Sequence, residues 1–169
     1  MTALDDIRLI VLDVDGVLTD GTVLFGAGDE EHKAFHTQDG AGLALWRDAG
    51  FHSTFVTGRG GAAVQRRARE LRIEPIWESV RDKAAAFDEV IAHFGVTAEQ
   101  TAAMGDDLLD LPMLARAGLS ACPSDAARDV RERVDLVTGA RGGHGAVREL
   151  VEHILRGRGA WDGLVERLC

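Results

Sequence analysis

The chain has 169 residues, 46% of them hydrophobic and 28% charged, with a formal net charge of -9. That length supplies one core of ordinary domain size, so residues 1–169 are expected to form one domain. An acidic chain without a basic tract excludes nucleic acid and an anionic membrane as main partners, and a small anionic substrate would then need local cations or a metal. No apolar run approaches the roughly 20 residues of a membrane span. The start "MTALDDIRLI" lacks a cationic region followed by an apolar signal core, so a cytoplasmic location is expected. Cys122 and Cys169 are far apart and form no CxxC, which argues against a disulfide framework or a thiolate zinc site. Cys122 reads as a small buried hydrophobe and Cys169 as a tail residue.

In chain order, short apolar runs alternate with amphipathic segments. Residues 7–14, "IRLIVLDV", predict a strand. Residues 21–40 contain two extended pieces around the turn residues "GAGD" and predict a β-hairpin, a projecting segment of about 19–38. A helix over 42–50 closed by Gly50, a strand over 51–58, a helix over 61–71 and a short strand over 74–77 follow. The next helix, 83–95, sets Phe87, Val90, Ile91 and Phe94 on one face and stops at Gly95. The remainder predicts a strand at 101–107, a helix at 111–118, a strand at 118–122, a helix at 125–134 and a strand at 135–138. A final helix at 146–157 turns Leu150, Val151, Ile154 and Leu155 inward, and a tail runs over 157–169. Strands apolar on both faces and alternating with helices imply a parallel sheet covered on both sides, a three-layer Rossmann-like α/β fold. Ligands of such sheets bind at the carboxyl ends of the strands, so the hairpin is read as a flap over that edge rather than a surface excursion.

The chemistry gathers at the same edge. "IVLDVDGVLTDG" ends an apolar run with Asp13, Asp15 and Asp20. Residues two apart in an extended segment share a face, so Asp13 and Asp15 point the same way if the strand continues that far, and Gly16 permits a sharp exit. "GDDLLD" brings Asp106, Asp107 and Asp110 to the end of another strand. Like charges about 4 Å apart repel by roughly 4 kcal/mol at an effective dielectric near 20, so a cation is required between the clusters. All-oxygen ligation suits Mg²⁺. Thr57 in "FVTGR" offers a hydroxyl at the start of a helix whose amides attract anions. Lys83 in "RDKAAAF" is misplaced relative to its helix dipole unless a local partner explains it. Singly, each piece has an ordinary reading as a turn, a cap or a solvated side chain; together, in order and at strand ends, they read as a phosphate site.

These residues carry a resemblance. DVDGVLTD (Asp13, Asp15), VTGR (Thr57), Lys83 and GDDLLD (Asp106, Asp107, Asp110) look like the motifs of the haloacid dehalogenase superfamily of phosphatases. "KAFHTQDGAGL", "GDDLLDLPML" and "GGHGAVRE" further resemble its small capless branch, which includes the 3-deoxy-D-manno-octulosonate 8-phosphate phosphatases. The resemblance covers about residues 7–156. It implies that Asp13 is the nucleophile forming an aspartyl phosphate and that Asp15 protonates the leaving sugar oxygen and then activates water. It also implies that Asp13, the Asp15 backbone carbonyl and Asp106 hold Mg²⁺, that Thr57 and Lys83 bind the transferring oxygens, and that Asp107 and Asp110 are auxiliary. Asp20 and Asp39 are expected only to close the flap.

The expected substrate is a sugar-acid phosphate, 3-deoxy-D-manno-octulosonate 8-phosphate, with nine-carbon 9-phosphates as the alternative. Relatives of the branch commonly have Arg where Gln38 stands and Arg or Lys where His144 stands. Gly58 and Arg59 match the octulosonate-type pattern, and Arg59 or Arg141 would supply the missing cation; otherwise Arg59 pairs with a surface carboxylate and Gln38 faces solvent. The intervals 16–56 and 58–82 are too short for a cap domain, so a homo-oligomer, the homotetramer of the resemblance, is expected to cover the sites. Val23, Leu24 and Phe25 would meet neighbouring copies, and the tail either reaches across as well or packs Trp161 and Leu164 at home. Two readings of other classes compete. "GRGGAA" with Glu78 fits a dinucleotide turn but leaves the carboxylates and Lys83 unexplained. A non-enzymatic receiver-like phosphoacceptor module has a similar site, yet Asp15 favours turnover over a lasting phosphoryl mark.

Overall fold

The computed structural model describes residues 4–28 and 30–167. Its elements run β1 (Leu9–Leu12), a hairpin of β2 (Leu24–Phe25) and β3 (Glu31–His32), α1 (Thr37–Asp48), β4 (His52–Phe55), α2 (Ala62–Leu71), α3 (Lys83–Phe94), β5 (Thr101–Met104), α4 (Leu111–Leu114), β6 (Leu119–Cys122), α5 (Arg128–Arg131), β7 (Leu136–Val137), α6 (Ala146–Gly157) and α7 (Trp161–Glu166). Five strands form one parallel sheet in the order β4-β1-β5-β6-β7.

All four residues of β1 are fully buried, as the central strand of a sheet covered on both faces requires. Ile10 and Leu12 enter one apolar cluster with Trp46, Phe55, Leu150 and Ile154 from β4, α1 and α6. Leu9 and Val11 enter the other with Phe87, Val90, Met113 and Val130 from α3, α4 and α5. The expected three-layer α/β fold is therefore observed, and only the hairpin interrupts it where a cap domain would sit. Cys122 lies in the second cluster as a small hydrophobe, its thiol pushed up to about 11 by burial.

Several boundaries differ from the sequence expectation for identifiable reasons. The helix expected from residue 42 begins at Thr37. Gly40 and Gly42 weaken its pattern as poor helix formers, yet Gly42 is needed, because a Cβ there would meet the Arg148 backbone of α6 at 3.1 Å. The strand expected at 74–77 reduces to one bridge between Val56 and Trp77; Pro75 has no amide to donate to a ladder. The helix expected over 125–134 shrinks to α5, since the Asp125 carboxylate accepts from the Gly142 N–H (3.0 Å) and pairs with Arg141 (3.0 Å). The helix expected over 111–118 ends at Leu114, and the chain turns so that the Gly118 N–H donates to Ala98 O. The tail forms α7, with Trp161 and Leu164 buried against their own core and the Arg156 guanidinium 4.6 Å from the Trp161 ring. Packing at home is thus the reading that holds through Arg167; Cys169 lies outside the described residues.

Asp39 has a role other than closing the flap. It is buried in the first turns of α1, and its carboxylate accepts from the N–H groups of Gly145 (3.2 Å) and Arg148 (2.9 Å) at the start of α6. It caps a second helix from outside, where orphan amides and the dipole both favour a carboxylate. Asp39→Ala leaves those buried donors unpaired and is expected to lower unfolding free energy by about 1–3 kcal/mol, read by urea denaturation at unchanged m.

Candidate active site

β4 and β5 lie on opposite sides of β1, so successive crossovers diverge at its carboxyl end. That divergence opens the crevice in which open α/β sheets bind ligands. Asp13 follows β1, Thr57 follows β4, Asp106 follows β5, and Lys83 opens α3. With Asp15, Gly58, Arg59, Asp107 and Asp110 they line a cleft of about 290 Å³.

Asp13 is held to the sheet edge by its N–H, which donates to Met104 O (3.0 Å). β1 nevertheless stops at Leu12, because the Val14 carbonyl turns to accept from the N–H groups of Val17, Leu18 and Thr19. Asp15 therefore faces the cleft from a tight loop, not from an extended strand. Gly16 sits there at φ +86°, and a side chain at that position would run into the Asp106 carboxylate. Thr57 is also placed differently from expectation. It is buried and lines the cleft, but α2 starts only at Ala62, so the hydroxyl belongs to a loop and accepts from the Arg59 N–H (3.1 Å).

Lys83 has the local partner its position demanded. Asp82 caps α3 by accepting from the N–H groups of Ala84 and Ala85, and the buried Lys83 Nζ lies 2.5 Å from Asp13 Oδ1 and pairs with Asp110 Oδ1. The other Asp110 oxygen accepts from the N–H groups of Asp106 (2.9 Å) and Asp107 (3.1 Å), which fixes the "GDD" loop. Asp107 is exposed at the rim and accepts from the Leu108 N–H.

Asp13, Asp106 and Asp110 each bring a carboxylate oxygen within 4.8 Å of the others. Burial and the Asp110 charge push Asp13 up to about 7 against the pull of Lys83. Burial and the Asp13 charge push Asp106 up to about 7 as well. Burial alone would lower Lys83, but the Asp13 and Asp110 charges outweigh it and hold its pKa above the ordinary value. Once ionised, three carboxylates around one ammonium leave an excess of negative charge on hard oxygen donors, and the donor set fits Mg²⁺.

The hairpin does reach the site, through a residue the sequence reading missed. The Lys33 side chain is 3% exposed, with Nζ 2.5 Å from Asp15 Oδ1 and 2.8 Å from Glu31 Oε1. Glu31 also pairs with Arg59 at 2.9 Å, and Arg59 Nε stands 4.0 Å from Asp15 Oδ2. Only the expectation of a flap pointed to this region; no spacing singled out Lys33. Gln38 and His144 are exposed and do not line the cleft. They meet where the loop before α6 approaches α1, the His144 ring 6.2 Å from His36. Glu78 accepts from the Gly61 N–H (2.8 Å) and from Gln65 (2.9 Å), so a carboxylate fills the place a dinucleotide phosphate would take.

A parallel sheet with paired acidic clusters and a buried lysine at its switch point defines the class of α/β phosphotransfer proteins. The haloacid dehalogenase-like hydrolase family model matches residues 76–150. The 3-deoxy-D-manno-octulosonate 8-phosphate phosphatase of Haemophilus influenzae is 39% identical over 92% of this chain and 87% of its own length. That of Salmonella typhi is 37% identical over 96% and 86%. Among solved structures, the Moraxella catarrhalis enzyme, in complex with magnesium, phosphate and KDO, aligns with TM-score 0.95 at 35% identity, covering 99% of this chain and 96% of that one. The cobalt-bound Haemophilus influenzae enzyme aligns with TM-score 0.90 at 39% identity over 93% and 92%. The chain belongs to the haloacid dehalogenase-like hydrolase family, and the oxidoreductase and receiver readings fall with that membership.

The raised carboxyls fix the sign of a pH effect. Asp13 and Asp106 keep their protons in the metal-free fold up to about pH 7, whereas an unfolded chain releases them near 3.8. The folded state thus binds more protons between those values, and this contribution to stability is lost as pH rises through the window. A divalent cation requires the ionised forms, so Mg²⁺ should raise Tm more at pH 8 than at pH 5.5 in calorimetry.

Proposed function

We propose that this chain is a Mg²⁺-dependent phosphomonoesterase that hydrolyses 3-deoxy-D-manno-octulosonate 8-phosphate through an aspartyl phosphate. The observation that carries the proposal is Lys83, buried and paired with both Asp13 and Asp110 in the cleft that also holds the Thr57 hydroxyl. The octulosonate phosphatases at 37% and 39% identity support the substrate.

In this reading an Asp13 oxygen attacks phosphorus, and Asp15 gives a proton to the leaving sugar oxygen, then takes one from the water that cleaves the aspartyl phosphate. Lys83 and the Thr57 hydroxyl bind the transferring oxygens as charge develops on them. Asp13, Asp106 and the Asp15 backbone carbonyl would hold Mg²⁺, with Asp110 behind them; when bound, the ion neutralises the carboxylates and polarises phosphoryl oxygens. Gly58 and Arg59 line the same cleft, and Arg59 is the cation best placed for the sugar carboxylate.

Phosphate release from a panel of sugar-acid and neutral sugar phosphates tests the reading. The eight-carbon 8-phosphate should give the highest kcat/KM, ahead of nine-carbon 9-phosphates, and Asp13→Asn should abolish turnover while EDTA silences the wild type reversibly. Equal kcat/KM for neutral and acidic sugars would overturn the substrate, and a near-normal Asp13→Asn enzyme would overturn the mechanism.

A cytoplasmic homotetramer completes the proposal. Leu24 and Phe25 are 52% and 76% exposed on β2 of the hairpin, an apolar pair that gains by meeting its copies. Light scattering is expected to give a tetramer, and Phe25→Asp should lower both the mass and the activity; a fully active monomer would refute the assembly.

A further inference from the structure

We infer that Lys33 is a positioning residue for the phosphoryl transfer: by binding Asp15, the hairpin holds the loop-borne carboxyl in place for the chemistry. The inference rests on the proposed role of Asp15 as acid and base. Three observations meet here. Lys33 Nζ lies 2.5 Å from Asp15 Oδ1 in a side chain 3% exposed. Asp15 Oδ2 has no hydrogen-bond partner, and Arg59 Nε, 4.0 Å from it, belongs to a guanidinium turned to Glu31 at 2.9 Å, so Lys33 is the residue that binds the carboxylate. Asp15 rides a loop that leaves β1, so its own strand does not fix its side chain.

A carboxyl that must meet a leaving oxygen from a loop needs its side chain held. An ammonium has three donors, so Lys33 can hold Asp15 and reach Glu31 at once. During transfer, an Asp13 oxygen bonds to phosphorus while the bond from phosphorus to the bridging oxygen breaks, its electron pair staying on that oxygen. A proton from Asp15 completes the sugar hydroxyl, and Asp15 is left as a carboxylate beside Lys33. Glu31, 2.8 Å from Nζ, aims the ammonium. Lys33 thus also ties the flap to the chemistry, joining the strand that carries Glu31 to the acid.

The alternative is a staple that merely fastens the hairpin, and leaving-group dependence separates the two. The ratio kcat/KM covers only steps through phosphoenzyme formation, so it reports the leaving group and not the later hydrolysis. A sugar alkoxide needs the proton; p-nitrophenolate leaves without it. Lys33→Met should lower kcat/KM for the sugar phosphate by roughly 10–100-fold, part of the range typical of general acid catalysis. For p-nitrophenyl phosphate it should change by less than about threefold, and Lys33→Arg, which keeps a donor there, should recover part of the sugar-phosphate loss. Equal losses on both substrates from Lys33→Met would overturn the inference. Should Lys33→Met fail to fold by circular dichroism, Lys33→Arg decides the matter: an unequal loss supports the inference, and equal loss or none overturns it. Asp15→Asn run in parallel keeps the two claims apart. If it discriminates between the substrates and the Lys33 variants do not, only the role of Lys33 falls; if Asp15→Asn itself loses both equally, the acid assignment falls and the inference with it.

Discussion

The mutual repulsion of carboxylates at the mouth of β1, held by a single buried ammonium, is the constraint around which this molecule is arranged. Asp13 and Asp110 are both almost fully buried, a state that is costly for ionised groups without compensation. Lys83 compensates them from the first turn of α3, against the helix dipole, and so spends local helix stability on the site. The residual negative charge is what makes a hard divalent cation fit, and the backbone is shaped to tolerate the crowding. Gly16 leaves room for the Asp106 carboxylate, and one Asp110 oxygen is occupied by two loop amides while the other meets Lys83.

The rest of the fold keeps those groups at fixed separation. A parallel strand buried on both faces cannot shift by one residue without turning its apolar set over. The register of β1 with β4 and β5 therefore fixes Asp13 against Thr57 and Asp106. On one face, α1 and α6 approach closely because Gly42 permits it, and Asp39 fastens the start of α6 to α1. The loop before α6 in turn packs on the loop that bears Asp15, the Gly143 N–H donating to Val17 O (2.9 Å). The helix layer packed on the sheet thus also braces the loop that bears Asp15.

The hairpin stands apart from this scaffold in composition and in role. Its two short strands pair only with each other, Leu24 and Phe25 are exposed on β2, and β3 with the residue after it carries the charges that reach Arg59 and Asp15. A two-stranded ribbon alone is marginal in water, so the ion pairs of Lys33 with Asp15 and of Glu31 with Arg59 help to order it.

The sequence by itself determined the fold class, because continuous apolar runs in the strands, alternation with amphipathic helices and turn residues are all local and carry the layer architecture with them. It also determined Asp13, Asp15, Thr57, Lys83, Asp106 and Asp110 as one set, since strand-end positions in a parallel sheet converge whatever the loops do. Tertiary structure alone decided the rest. It started α1 five residues before its apolar pattern, because the glycines that hide a helix in sequence are the ones helix contact requires. It made Asp39 a cap for a helix more than a hundred residues away, turned Asp15 off the strand, and set Gln38 and His144 apart from the cleft. It brought Lys33 from a polar hairpin to the carboxylate of Asp15, a pairing 18 residues apart that no periodicity encodes. Local pattern specifies which face of an element is buried; which side chain meets which depends on how loops close, and that is settled only when the layers pack.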